Sequence, residues 1–436
     1  MSVPTVHARS TASLRTRSGA AVAARPLRRS PARIIAPEMR VSDAPAAVVL
    51  RSVVRRGPVA RDVVVGDTGI STATVNRHVT ALIGAGLLRE RADLSTAGAV
   101  GRPRIPVEVD HEGQCTLGIH IGATTTRIVA VDLRGVVLGG VEVPTPTGAA
   151  PGALRSLADS AAAFVGRWHR RRILLVGVAI GGRVDTRTGT VDHPRLGWTA
   201  APVGAAFGER LGSVVSVAPH VEAMAASELL LGGAAGPARN SGTSLYFYAR
   251  ETSGLAISID GRVHTPSGGP GSIAHLPTGS SAACDCGRTG CLDATVSDRA
   301  VVAAAHRDGV LPPSERSIAA VYLAARTGVA AAQQLLDARA DALGRALALV
   351  HDVLNPDSVQ VGGQAFTAYP PAMERVEASF ARHSALVTPG STTGSTGSIR
   401  VTAFGKRVQD YAAAAVSLGP IYADPVGTMR KIGAGA

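Results

Sequence analysis

The chain has 436 residues, a formal net charge of +13 and four cysteines. That length supports two or three domains with ample core, and no uninterrupted apolar run reaches the ~18 residues of a membrane span. So few cysteines exclude a disulfide scaffold and point to a reducing, cytoplasmic setting.

The charge is uneven. Residues 1–110 hold 17 Arg and 8 acids, whereas the rest holds 28 basic and 24 acidic residues. A basic front on a near-neutral body implies an anionic partner at the N-terminus, most simply nucleic acid. Residues 1–40 mix Arg, Ala, Ser and Pro without apolar periodicity. They read as a disordered tail, or as sequence ahead of a true start at Met39.

From Asp43 the pattern is helical, with Ala47, Val49, Leu50, Val53 and Val54 as an apolar stripe. A second helix is expected over Val59–Val65, then a turn from Gly66 to Ile70 and a third helix from Ser71. Ser71 is a natural N-cap. Val75, Val79 and Leu82 share one face of the third helix and should pack inward. Ser71, Thr72, Thr74, Asn76 and Arg77 are then left for the nucleic acid. Leu87–Glu90 and Ile105–Val109 read as the two strands of a wing, with Arg102 and Arg104 between them able to reach a phosphate or the minor groove. Residues 41–108 are thus predicted to be a winged helix-turn-helix that binds double-stranded DNA. The alternative is a helical hairpin that contacts protein.

The remainder reads as α/β, with strands at Thr116–Ile121, Ile128–Asp132, Val136–Leu138, Ile173–Ile180 and Val359–Val361. Helices are expected at Ile318–Ala325 and Ala330–Leu354. The most informative stretch is residues 268–293, which place His275 nine residues before a C-x-C-x4-C run of Cys284, Cys286 and Cys291. One imidazole and three thiolates complete a tetrahedral zinc set and leave no position for substrate water, so the expected zinc is structural.

These pieces resemble the ROK family of repressors, open reading frames and sugar kinases. The likeness rests on the Cys-rich motif, on Gly118-Ile-His-Ile-Gly-Ala-Thr-Thr125, on Gly177–Asp185, and on Asn355-Pro356 with Val361-Gly362-Gly363. It implies a two-lobed actin-like ATPase body over residues 113–436, with a cleft between the lobes and a homodimer or tetramer as the assembly.

The departures bear on function. Family kinases end the first strand in Asp-x-Gly, and that carboxylate organises Mg²⁺; here the position is His120, a poor ligand for a hard cation. Their Asn-Asp pair, whose Asp is the general base, corresponds to Pro219-His220. Their glycine-rich second phosphate loop corresponds to Tyr248–Ala256. Phosphoryl transfer lacks three of its parts, so no catalytic residue is assigned. Gly182, Arg183, His220, His275 and Asp293 remain as candidate contacts for a sugar or sugar-phosphate effector. The expectation is a DNA-binding repressor of carbohydrate-related genes. Its rivals are a ROK-type hexose kinase and a ligand-independent DNA-binding protein whose body only dimerises.

Overall fold

Helix α1 (Pro45–Arg56) opens on a proline whose missing N–H would have been unpaired in any residue at that position. It packs Val49, Leu50 and Val53 against Val64 of α2 (Arg61–Thr68) and Val75, Val79 and Leu82 of α3 (Thr72–Gly84). Strands β1 (Leu88–Glu90) and β2 (Val107–Val109) pair antiparallel, Leu88 opposite Val109. The computed structural model describes residues 32–94, 105–232, 241–266, 271–387 and 399–433. The second helix starts and ends later than the sequence suggests. Val59 joins the wing, exchanging both backbone hydrogen bonds with Val107 at 2.9 Å, and so cannot start a helix. At the other end Asp67 is held by Arg56 and by the Ser52 hydroxyl at 2.6 Å, and the Thr68 hydroxyl donates back to the Val64 carbonyl. The turn therefore begins at Gly69, whose φ is 68°.

Part of the expected N-terminal tail is ordered. The Ile35 N–H donates to Val215 and the Val215 N–H to Arg33, and a few residues on the Val263 N–H donates to Met39 and the Val41 N–H to Gly261. This segment pairs in turn with the edge strand of each of the two large sheets described next. Unpaired edge strands accept any extended chain, and Ile34, Ile35 and Met39 supply the apolar contacts. Arg-rich composition hid that short stretch.

The first lobe is built on β3 (Gln114–Ile121), β4 (Thr125–Asp132), β5 (Val137–Pro144), β6 (Arg172–Ile180) and β10 (Val215–Pro219), in the order β10-β6-β3-β4-β5. Helices α4 (Ala150–Val165) and α5 (Val203–Leu211) and a small sheet of β7 (Arg183–Asp185), β8 (Thr190–His193) and β9 (Trp198–Ala201) contribute to its core. Helix α6 (His220–Leu231) follows directly from β10. The second lobe orders β11 (Thr243–Ala249), β12 (Ser253–Ile259), β13 (Arg262–Val263), β14 (Ser358–Gly362) and β15 (Ile399–Val401) as β13-β12-β11-β14-β15. Its helices are α7 (Leu292–Val296), α8 (Asp298–Arg307), α9 (Ile318–Arg326), α10 (Ala330–Leu354), α11 (Gln364–Thr367) and α12 (Pro371–His383).

Helix α13 (Val408–Ala423) returns to the first sheet, and α14 (Pro425–Gly433) closes the chain. A Cβ at Gly177 would sit 2.3 Å from the Ser417 nitrogen, so glycine is what lets α13 lie flat on β6. Leu418, Ile421, Met429 and Ile432 of α13 and α14 share one apolar cluster with Leu50, Val53 and Val79, seating the N-terminal helices on the body.

Candidate functional site

The stretch around the cysteines folds as a compact loop. Pro277 bridges Cys291 and Ala283 bridges Thr289, while the Thr278 N–H and hydroxyl both donate to the Gly290 carbonyl. Gly290 has φ of 72°, and a Cβ there would meet the Ser280 carbonyl oxygen at 2.6 Å. The result brings the donor atoms of His275, Cys284, Cys286 and Cys291 within 4.8 Å of one another. His275 Nδ1 is 3.7 Å from Cys284 Sγ, and Cys286 Sγ is 3.6 Å from Cys291 Sγ. Tetrahedral ligands at zinc lie about 3.5–3.8 Å apart, so these separations fit a metal ion, and none is close to the ~2 Å of a disulfide. Arg288 beside Cys286 favours its thiolate and brings it down to about 6.

Beside the loop is a cavity of about 740 Å³. Strands β3, β6 and β10 run parallel with Ile121, Ile180 and Pro219 in register, so their carboxyl ends make one edge of it. Such an edge is where open α/β sheets bind ligands. Gly182, Arg183, His220, His275 and Asp293, chosen from sequence, all line this one cavity. Asp293 is bridged to Arg299 at 2.9 Å. Sequence reasoning missed His193, Arg195 and Arg250, which line it too. His193 sits at the end of β8 and its Nδ1 accepts the Leu196 N–H, which leaves Nε2 as the protonated nitrogen. Burial lowers His120, His193 and His220, the last to about 4, so the three rings are neutral at pH 7.

Among the N-terminal helices, Ser71 caps α3 by accepting the Thr74 N–H, and its hydroxyl meets that of Thr74 at 3.0 Å. Thr72 and Arg77 are exposed, and Thr74 is half-buried. Asn76 is turned toward α2, where its carbonyl oxygen is 3.5 Å from Arg61, which also bridges Glu90. Arg61 is therefore a further cation of this face. Arg102 and Arg104 lie outside the described residues.

Residues 116–392 match the ROK family. A transcriptional regulator of Mycobacterium tuberculosis is 55% identical over 410 residues, spanning 92% of this chain and 91% of that one. The chain belongs to the ROK family. The Escherichia coli DNA-binding transcriptional dual regulator NagC is 23% identical over 331 residues, 73% of this chain and 80% of that one. Among solved structures, a ROK family transcriptional regulator homologous to the E. coli MLC protein superposes with a TM-score of 0.72 at 22% identity, covering 88% of this chain and 98% of that one. The ROK glucokinase of Streptomyces griseus, in complex with glucose and AMPPNP, reaches 0.60 at 22% identity over 70% of this chain and 99% of that one.

His120 is 1% exposed at the end of β3, and its ring stacks on that of His220 with 5.7 Å between centroids. The connection from β11 to β12 is a tight hairpin of Arg250, Glu251 and Thr252, with the Arg250 N–H donating to the Thr252 carbonyl. At Gly363 a Cβ would lie 2.3 Å from the Ala249 carbonyl oxygen, so that turn also serves packing between β11 and β14.

Proposed function

We propose that this ROK protein is a cytoplasmic, sequence-specific DNA-binding transcriptional regulator that represses carbohydrate-related genes. The observation that carries the reading is the exposed start of α3, capped by Ser71 and presenting Thr72 and Arg77, on a three-helix unit with a two-stranded wing. Small polar residues and an arginine at that position suit base edges and phosphates of the major groove. The basic surplus of residues 1–110 supports it, as do the relatives named transcriptional regulator and NagC. Residues 41–108 form the DNA-binding domain, and the body of residues 113–436 senses a small effector in its cleft and dimerises to set two half-sites.

His275, Cys284, Cys286 and Cys291 hold a structural zinc, which shapes the cleft wall without chemistry of its own. Phosphoryl transfer is absent from this reading, because no carboxylate stands at His120 or His220 to organise Mg²⁺ or take the hydroxyl proton. An effector alters operator affinity only by favouring one arrangement of the lobes. The test is retention of genomic fragments by the full chain and by Arg77→Ala. Losing a base or phosphate contact of this kind costs about 1–3 kcal/mol, so the variant should bind roughly tenfold or more weakly. Equal retention would sink the assignment of α3.

A further inference from the structure

The junction between the N-terminal helices and the body holds a second cavity, of about 460 Å³, that shares no lining residue with the cleft. Three parts of the chain make its walls. One is a face of α1 carrying Ala47, Leu50, Arg51 and Val54, at the i, i+3, i+4, i+7 spacing of a helix stripe. The second is residues 40–42, fixed to β13 by the backbone bonds of Met39 and Val41. The third is the last turn of α6, whose Leu229, Leu230 and Leu231 are only half-buried. The rim is cationic. Arg40, Arg55 and Arg134 are each held by a carboxylate outside the lining, Glu38, Asp67 and Asp132 respectively. Arg51 is not. It is half-buried and donates to the Ser42 carbonyl at 2.9 Å, yet forms no ion pair among the described residues. Burial disfavours its charge, as does Arg55, and only Asp43 attracts it.

No carboxylate lines the cavity among the described residues, and its two hydroxyls are already engaged. That of Ser42 accepts the Ala44 N–H, and that of Tyr422 donates to the Leu133 carbonyl at 2.9 Å. A sugar would set its hydroxyls against leucine without partners. An apolar body with a single anionic head matches both the wall and the unpaired guanidinium. The volume lies within the ~300–1,000 Å³ that takes small molecules. We propose that this junction binds an amphiphilic carboxylate, with Arg51 holding the head and Leu50, Val54 and the leucines of α6 enclosing the apolar body. The site is distinct from the cleft, and only its effect on DNA rests on the regulator reading. Leu50 and Val53 of α1 share one apolar cluster with Val75 and Val79 of α3. A ligand lodged between α1 and α6 therefore bears on the helix that presents Arg77, and it alters DNA affinity by favouring one seating of that helix on the body.

The test is calorimetry on the zinc-loaded full chain with decanoate, 1-decanol and acetate, all below micelle-forming concentrations. Arg51→Gln, Arg51→Lys and Leu230→Gln are run beside the wild type, each first checked for a native melt. Decanoate should bind, decanol roughly tenfold or more weakly, and acetate not measurably. Arg51→Gln should weaken decanoate by roughly tenfold, with partial recovery in Arg51→Lys, and Leu230→Gln should weaken decanoate and decanol alike. Decanol binding as tightly as decanoate would overturn the anionic head. No decanoate binding, or binding indifferent to both Arg51→Gln and Leu230→Gln, overturns the site itself. Weaker DNA retention in Arg51→Gln with no decanoate bound would assign the arginine to a DNA phosphate instead. Retention of genomic fragments should shift with decanoate in the wild type and not in Arg51→Gln, and no shift in the wild type overturns the coupling to α3. Retention indifferent to Arg77→Ala sinks the regulator reading, and leaves the decanoate titration standing on its own.

Discussion

The metal loop and the cleft floor border one cavity, yet they are assembled on different scales. The loop collects all four donors from His275 to Cys291, within a single short stretch whose own hydrogen bonds fix its shape. The floor takes His120 from β3, His220 from α6 and Arg250 from the β11–β12 turn, elements far apart in sequence. A local site keeps its chemistry as long as its loop folds. A distributed one changes chemistry when any contributing segment changes.

The largest effect should come from breaking the local site. Cys286→Ala leaves three donors for a four-coordinate ion, so zinc per chain measured by mass spectrometry should fall well below one, and much of the ~10–16 kcal/mol that structural zinc typically contributes should go with it. Retained metal would show that the donors do not act as a set. The joint between the two regions is Asp298, whose N–H donates to the Arg250 carbonyl and whose carboxylate meets Arg339 at 2.6 Å, both side chains buried. Asp298→Ala strands a buried guanidinium and should cost roughly 3–5 kcal/mol in urea unfolding.

The cleft floor should reveal itself through pH. Burial lowers His220 from 6.5 in the unfolded chain to about 4. Below about pH 6.5 the unfolded state therefore binds a proton that the native state refuses until about pH 4, and stability falls as pH drops through that window, by up to roughly 3 kcal/mol. His120 and His193 act in the same direction. Glu222 acts oppositely: pushed up from 4.5 to about 7, it erodes stability as pH rises between those values. Urea melts of His220→Asn should be less acid-sensitive than wild type, and identical pH slopes would mean the ring is not desolvated. The smallest effect is at α3, where Ser71→Ala should cost about 1 kcal/mol through the lost Thr74 N–H bond.

How much of this was legible follows from the same distinction of scale. The three N-terminal helices, the strand Ile173–Ile180 and helix Ala330–Leu354 could be read because their patterns are local, and the cysteine spacing named its donors directly. The pairing of residues 33–41 with two sheet edges could not, because it depends on edges supplied hundreds of residues later. His193 and Arg250 were equally hidden. Nothing adjacent to either marks it, and they meet only at the cavity, to which β8 and the β11–β12 turn both contribute. Asn76, on α3, turns toward Arg61, a partner on the preceding helix.

The proposal that the floor beside the Cys-rich loop carries no phosphoryl-transfer chemistry is tested most directly by ATP turnover on zinc-replete protein, across a panel of hexoses and amino-sugars. The expected result is ADP release no faster than without protein. Hexose-dependent turnover that disappears in His220→Ala would contradict it.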